Sequence, residues 1–439
     1  MTHAGETIEQ KWPRPGGGGK PVPGLLLVFS TGRPRLAPLP LGARPLTLGR
    51  GEVAGVTLDD ACLSREHAEA AFVGGVFHFR DLGSRNGTAV DGSVLDRPFA
   101  GPDARVLRTG DTLWLPSADL RPFLGAAVET HGGLVIGPTL REAWKRIAAI
   151  AASGDVLHVS GETGAGKEEA ARCFRASGPR AHGPFVPVNC ATIPQALAER
   201  LLFGARRGAY SGADADADGY IQQADGGTLF LDEIAELEAG VQAKLLRVLE
   251  TREVLPLGAT KARRVDFGIC SATHGDLPAR VAAGRFREDL YFRIGRPDVV
   301  LPALRERRED IPWLVEAFLA PAGAQAHASL IEAALLRAWP GNVRELALDI
   351  KEAARLAAEA GSTSVEVSHL AARGTREPPA ASAPVDGGLP DRDALEAVLA
   401  RHEGNVARSA RDLGVHRNQL RRWIARYGID TARFRAGGA

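Results

Sequence analysis

DVLHVSGETGAGKEEAARCF, residues 155–174, holds in one line a strand, a turn and a helix whose order decides how the chain is read. Val156 to Val159 is a short apolar strand. Gly161-x-x-x-x-Gly166-Lys167 follows, and then a run with helical spacing. Glycines let successive backbone N–H groups turn toward one point, and the first turn of the helix adds its dipole, so the stretch is a cradle for phosphate oxygens. Lys167 extends toward the β- and γ-phosphates. The residues expected around the nucleotide are Gly161, Glu162, Thr163, Gly164, Ala165, Gly166, Lys167 and Glu168; position 168 is Glu where such loops most often have Ser or Thr for magnesium. Downstream, GGTLFLDEI (226–234) reads as a second strand ending in two carboxylates. An acid at a strand end beside this loop suits Mg²⁺, and a second one polarises water. Asp232 is assigned to the metal and Glu233 to the attacking water, with ATP and Mg²⁺ as expected cofactors.

Outward from this point the composition changes three times. A chain of 439 residues predicts two to four domains. Residues 1–22 are rich in Gly and Pro and read as disordered. Residues 23–128 offer short strands with Gly and Asp turns between them (GLLLVFS, PLTLG, HAEAAFV, VFHFRDL, RVLRTGDTLWL), which predicts an all-β sandwich. Residues 133–372 alternate strands with long helical patterns, the mark of an α/β domain. Residues 373–390 form a Pro/Ala/Gly linker, and 391–430 read as short helices. Hydrophobic content of 44% and charged content of 24% suit a soluble globular protein, and a net charge of +1 confines any basic patch to a local role. Cys62, Cys173, Cys190 and Cys270 form no C-x-x-C pair, which fits reduced thiols in a cytoplasm. The N-terminus lacks the apolar run of a signal peptide, and the longest low-charge stretch, Ala317 to Leu336, falls short of a membrane span.

The runs PFVPVNCATIPQALAERLLFGARRGAYSGA (184–213), ADGGTLFLDEIAELEAGVQAKLLRVLETREV (224–254), FREDLYFRI (286–294), LPALRERREDI (301–311) and WPGNVREL (339–346) make the α/β domain resemble the AAA+ domain of bacterial enhancer-binding proteins that activate sigma-54 RNA polymerase. The resemblance implies a hexameric ring with ATP bound between subunits. It also gives a role to GAYSGA, residues Gly208, Ala209, Tyr210, Ser211, Gly212 and Ala213, a stretch poor in core-forming side chains. In the family this loop, usually GAFTGA, follows the nucleotide cycle and touches sigma-54 and promoter DNA. Here Tyr stands for Phe and Ser for Thr. By the same resemblance Arg287 and Arg293 are arginine fingers for the neighbouring subunit, Arg344 is the second sensor, and Asn189 is the partner of the catalytic Glu. His274 stands at the first sensor, where the family usually has Asn. Imidazole still donates a hydrogen bond, and its charge varies near neutral pH.

The tail, DALEAVLARHEGNVARSARDLGVHRNQLRRWIARYGI (393–429), places Leu395, Val398 and Leu399 on one helical face, Val406, Ala410 and Leu413 on the next, and Leu420, Trp423, Ile424 and Tyr427 on a third, with Gly414 at the turn. It resembles the Fis-type helix-turn-helix that ends most members of the same family. From Arg401 onward there are nine arginines against three acids, which suits double-stranded DNA. Arg417, Asn418, Arg421 and Arg422 are the expected contacts, to base edges or to phosphates. The head resembles the forkhead-associated (FHA) domain through Gly49-Arg50, Ser64-x-x-His67 and Asn86-Gly87. That resemblance implies phosphothreonine recognition: Arg50 on the phosphate, Ser64 adding a hydroxyl, Arg65 and Arg85 assisting, Asn86 holding the peptide backbone, and His67 bracing the loops.

Together these readings predict an ATP-driven activator. It would hold upstream DNA and remodel closed complexes of sigma-54 RNA polymerase holoenzyme, as a hexamer when active. A phosphothreonine protein in a Ser/Thr kinase pathway would control it. The competing readings are an AAA+ remodeller of another client, and a DNA-bound repressor whose ATPase has decayed.

Overall fold

A computed structural model describes residues 20–209, 214–370 and 392–402, and of the remaining tail only 409, 427, 429 and 431–434. The N-terminal stretch 1–22 read from the sequence as disordered, apart from residues 20–22, and the linker fall outside the described residues. Two units are described separately, Met1–Thr375 and Arg376–Ala439.

The head is made of β1 (Gly24–Ser30), β2 (Arg33–Pro40), β3 (Leu46–Leu48), β4 (Gly51–Val53), β5 (Val56–Leu58), β6 (Ala68–Val73), β7 (Val76–Asp81), β8 (Thr88–Val90), β9 (Ser93–Val94), β10 (Phe99–Gly101), β11 (Leu107–Thr109) and β12 (Thr112–Ser117). A six-stranded sheet, β2-β1-β12-β11-β8-β9, faces a four-stranded one, β10-β7-β6-β3. The strands expected from the sequence are present. β2 was not among them, because RPRLAPLP carries three prolines. It lies at the sheet edge, where a missing N–H removes no ladder bond. Leu25, Leu27, Phe77, Phe79 and Trp114 fill the space between the sheets.

β1 is buried at every position, as a strand with both faces covered must be. Leu25 and Leu27 point into the sandwich. Leu26 and Val28 belong to a second core, which they share with the lid helices described below.

A hairpin of β13 (Glu129–His131) and β14 (Leu134–Ile136) leads into α1 (Pro138–Ser153), β15 (Val156–Ser160), α2 (Lys167–Ser177), β16 (Phe185–Asn189), α3 (Gln195–Phe203), α4 (Tyr220–Gln223), β17 (Thr228–Asp232) and α5 (Ala239–Thr251). A short pair, β18 (Glu253–Val254) and β19 (Arg263–Arg264), precedes β20 (Gly268–Thr273), α6 (Leu277–Ala282), α7 (Glu288–Ile294) and β21 (Asp298–Val300). The central sheet is parallel in the order β16-β17-β20-β15-β21. β20 therefore lies between the strand that precedes the glycine-rich loop and the strand that ends in the acids. In parallel sheets ligands gather beyond the carboxyl ends of the strands, and the candidate residues collect there.

The lid comprises α8 (Ile311–Leu319), β22 (Gln325–Ala326), α9 (Ala328–Leu336), α10 (Asn342–Glu359) and β23 (Ser364–Val365). In the C-terminal unit α11 (Arg392–Arg401) buries Leu395 and Leu399, the face expected from the sequence.

Candidate functional site

α2 starts at Lys167, directly after Gly166 in a left-handed conformation, with Glu168 and Glu169 in its first turn, where acids suit the helix dipole. Gly164, at φ +76°, touches the lid: a Cβ there would lie 2.2 Å from the Gly341 carbonyl oxygen. Val343 donates its backbone N–H to the Gly164 carbonyl at 3.1 Å. Lys167 Nζ donates to the carbonyls of Gly161 and Glu162 at 3.0 and 3.3 Å. Burial holds its ammonium below the usual lysine range, against the pull of Asp232 and Glu233. Burial likewise pushes the Asp232 carboxyl up, and Lys167 opposes it.

These groups border a cleft of about 680 Å³. Its lining includes Gly164, Lys167, Asn189, Asp232, Glu233 and Arg344. It also includes the apolar side chains of Leu134, Leu140, Trp144, Leu314, Phe318 and Ala347. A lining that is part charged and part apolar matches a phosphate chain and a base. The apolar part of the lining is not legible in the sequence, because the β13–β14 hairpin, α1 and the lid each supply only some of it.

Three expected residues take unexpected partners. The Glu162 carboxylate faces the lid rather than the cradle: Arg305 donates to it at 2.6 and 2.8 Å and Asn342 Nδ2 at 3.0 Å. Arg305 is the chief cause of its lowered pKa. Glu168 accepts from exposed Arg172 at 2.6 Å. Asn189 Oδ1 accepts from the Ala191 N–H at 3.0 Å, while Glu233 Oε2 is 2.6 Å from His274 Nδ1 and 3.4 Å from the His274 backbone nitrogen. The first-sensor residue thus holds the carboxylate that the resemblance gave to Asn189.

Arg287 and Arg293 do not border the cleft of their own subunit. Arg287 donates to Asp289 at 2.7 and 3.0 Å, and Arg293 to the Leu249 carbonyl at 3.1 Å. Gly208 and Ala209 are described: Ala209 donates to the Arg206 carbonyl, Arg206 to that of Leu257, and Leu257 to that of Gly204. Tyr210, Ser211, Gly212 and Ala213 lie outside the described residues, as do Arg417, Asn418, Arg421 and Arg422.

In the head the three motif loops converge. A Cβ on Gly49 would lie 1.9 Å from the Arg65 carbonyl oxygen, so only glycine fits. Arg50 N–H donates to the Ser64 carbonyl at 2.9 Å, and Arg85 N–H to Ser64 Oγ at 3.2 Å. His67, fully buried, accepts from the Ser64 N–H at 3.2 Å and lies 3.0 Å from the Gly87 carbonyl through its other nitrogen. Asn86 donates to the Cys62 carbonyl at 2.8 Å. Arg50, Arg65 and Arg85 are exposed.

The chain matches the models of the FHA domain over residues 46–116, the Sigma-54 interaction domain over 135–299, the AAA+ ATPase lid domain over 305–385, and the "Bacterial regulatory protein, Fis family" over 390–427. It is 40% identical to a Nif-specific regulatory protein of Azotobacter vinelandii, covering 69% of this chain and 61% of that one. It is 38% identical to the regulatory protein AtoC of Escherichia coli, covering 68% of each. The first of these relatives is thus spanned over about three fifths of its length. The crystal structure of NtrX from Brucella abortus superposes with a TM-score of 0.52 at 31% identity, covering 68% of this chain and 69% of that one. With these domains in this order, the chain belongs to the sigma-54 enhancer-binding regulators and carries an FHA domain at its head.

Proposed function

We infer that the chain hydrolyses ATP and uses the cycle to remodel sigma-54 RNA polymerase at promoters whose upstream DNA it holds through its tail. The gathering of Lys167, Asp232, Glu233 and Arg344 in one cleft that apolar side chains also line carries this reading. Lys167 and Arg344 bind and orient the phosphate chain, and the apolar lining holds the base. Glu233, fixed through one oxygen by His274, has its other oxygen for the proton of the attacking water. The donor set suits Mg²⁺, because Asp232 and phosphate oxygens are hard ligands. Bound there, the ion neutralises charge on the phosphate oxygens. Arg287 and Arg293 serve the next subunit of a hexamer, and the GAYSGA loop contacts the sigma factor.

The head reads phosphothreonine. Exposed Arg50, Arg65 and Arg85 lie on the loops that meet at Ser64, and buried His67 braces them. Charge-assisted pairing with a phosphate follows from that chemistry.

The test is promoter opening by sigma-54 holoenzyme on a probe carrying the upstream site, with and without ATP. Glu233→Gln is expected to bind ATP without turnover, and Ser211→Ala to keep turnover but lose opening. Full turnover by the first variant would remove Glu233 from the mechanism. Hydrolysis without any opening by the unaltered chain would assign the loop to another client.

A further inference from the structure

The outer face of the head's larger sheet is covered by the lid of the same chain. Leu26, Val28 and Leu115 from β1 and β12 share one core with Leu330, Ile331 and Leu335 of α9. Polar contacts surround this core. Arg108 Nη1 lies 3.1 Å from Glu332 Oε2, and the Glu332 side chain is only 9% exposed. Arg105 donates to the Leu336 carbonyl at 3.1 Å, and Arg308 donates to the Arg105 carbonyl at 3.0 Å.

The same seam reaches the head's motif loops. Asn86 donates to the Cys62 carbonyl, and Cys62 Sγ donates to Asp111 Oδ2 at 3.3 Å. Buried Asp60 fixes both partners, accepting from the backbone of Cys62 and of Asp111 at 2.8 Å each. Asp111 Oδ1 stands 3.9 Å from His327 Nε2, and His327 is the N-cap of α9.

At its other end the lid is tied to the phosphate cradle. Buried Asn342 donates to the Glu162 carboxylate and to the Thr163 carbonyl at 3.0 Å each, and Arg344 borders the cleft. Packed interiors shift between discrete arrangements rather than deform, so a body gripped at both ends transmits occupancy from one to the other.

We propose that head and lid form one body in each subunit, so that capture of a phosphorylated segment by the Ser64–Asn86 loops and binding of nucleotide in the same chain's cleft change each other's affinity. The proposal rests on the functional reading given above for the two sites. Such coupling is reciprocal: the factor by which nucleotide alters peptide affinity equals the factor by which peptide alters nucleotide affinity.

The test uses the full chain and ADP. Arg108→Glu and Glu332→Arg each place like charges across the seam, and the double swap restores the attraction. Each single reversal is expected to shift the ADP dissociation constant about fivefold or more, and the swap to bring it back. Asp111→Asn, distant from the shared core, serves where a reversal fails to fold, and is expected to shift it in the same direction. Folded single variants whose ADP affinity stays within about twofold of wild type would overturn the proposal.

A degenerate phosphothreonine peptide pool, with its unphosphorylated counterpart as control, separates the two readings. Peptide affinity that changes with ADP supports the coupling. Peptide that binds equally with and without ADP overturns it. A pool that does not bind, beside a seam that still governs ADP affinity, leaves the single body standing and removes the phosphothreonine reading of the head.

Discussion

Glu233 holds its backbone at φ +52°, a left-handed region that non-glycine residues seldom enter and that costs about 1–3 kcal/mol. The conformation turns its carboxylate toward the end of β20, where His274 meets it. A hydrogen bond to a charged group contributes about 1.5–3 kcal/mol, and each 1.36 kcal/mol in a barrier is a factor of ten. His274→Ala is therefore expected to lower kcat for ATP by about ten- to a hundredfold with KM little changed, and His274→Asn to recover most of it. Steady-state turnover of the three proteins decides this; equal rates for all three would reduce the pair to a resting contact. Both residues stand out in the sequence as motif positions, but their meeting does not. It depends on β20 lying between β15 and β17, which local spacing leaves open. The resemblance points to Asn189 on β16, which borders the same cleft and whose Oδ1 here accepts from the Ala191 N–H.

Elements show the same division. GLLLVFS is legible as a strand, and its unbroken apolar run signals that both faces are covered. The cover for the second face comes from helices some three hundred positions later, and no local pattern names them. The entry to α8 was legible only as a motif, RERREDI. In the fold it buries Arg307, Glu309 and Asp310 together. Arg307 Nη1 lies 3.4 Å from Asp310 Oδ2, one cation among two carboxyls. Burial and the neighbouring Glu309 push the Asp310 carboxyl up to about 8, against the attraction of Arg307. An unfolded Asp titrates near ~3.9. Between those values the folded lid keeps a proton that the unfolded chain has released. This contribution to stability is thus complete below about pH 4 and declines as pH rises toward about 8. Asp310→Asn, which cannot ionise, is expected to flatten the fall in Tm between about pH 6 and about pH 8. Thermal unfolding across that window measures it, and a variant with the wild-type slope would assign the dependence to another group.

At the scale of the whole molecule, the two candidate fingers, Arg287 at the N-cap of α7 and Arg293 in its last turn, do not border their own cleft. Phe292, between them in sequence, is 65% exposed, and Val300 on the edge strand β21 is 66% exposed. An exposed Phe292 between two arginines that do not border their own cleft suits contact with a second copy. Head-to-tail contacts close into a ring where the rotation between copies allows it, and in such a ring each active site would take its carboxylate from one chain and its finger from the next. Two consequences separate this from an ATPase complete in one chain. Specific ATPase activity is expected to rise with protein concentration until assembly saturates. Arg287→Ala and Glu233→Gln, each close to inactive alone, are expected to recover turnover when mixed. In an equal mixture roughly a quarter of the interfaces join an intact Glu233 to an intact Arg287, so recovery should approach that share of the wild-type rate. If each chain used its own Arg287, no mixture would exceed the sum of the two inactive variants, and the exposed Phe292 would need another partner.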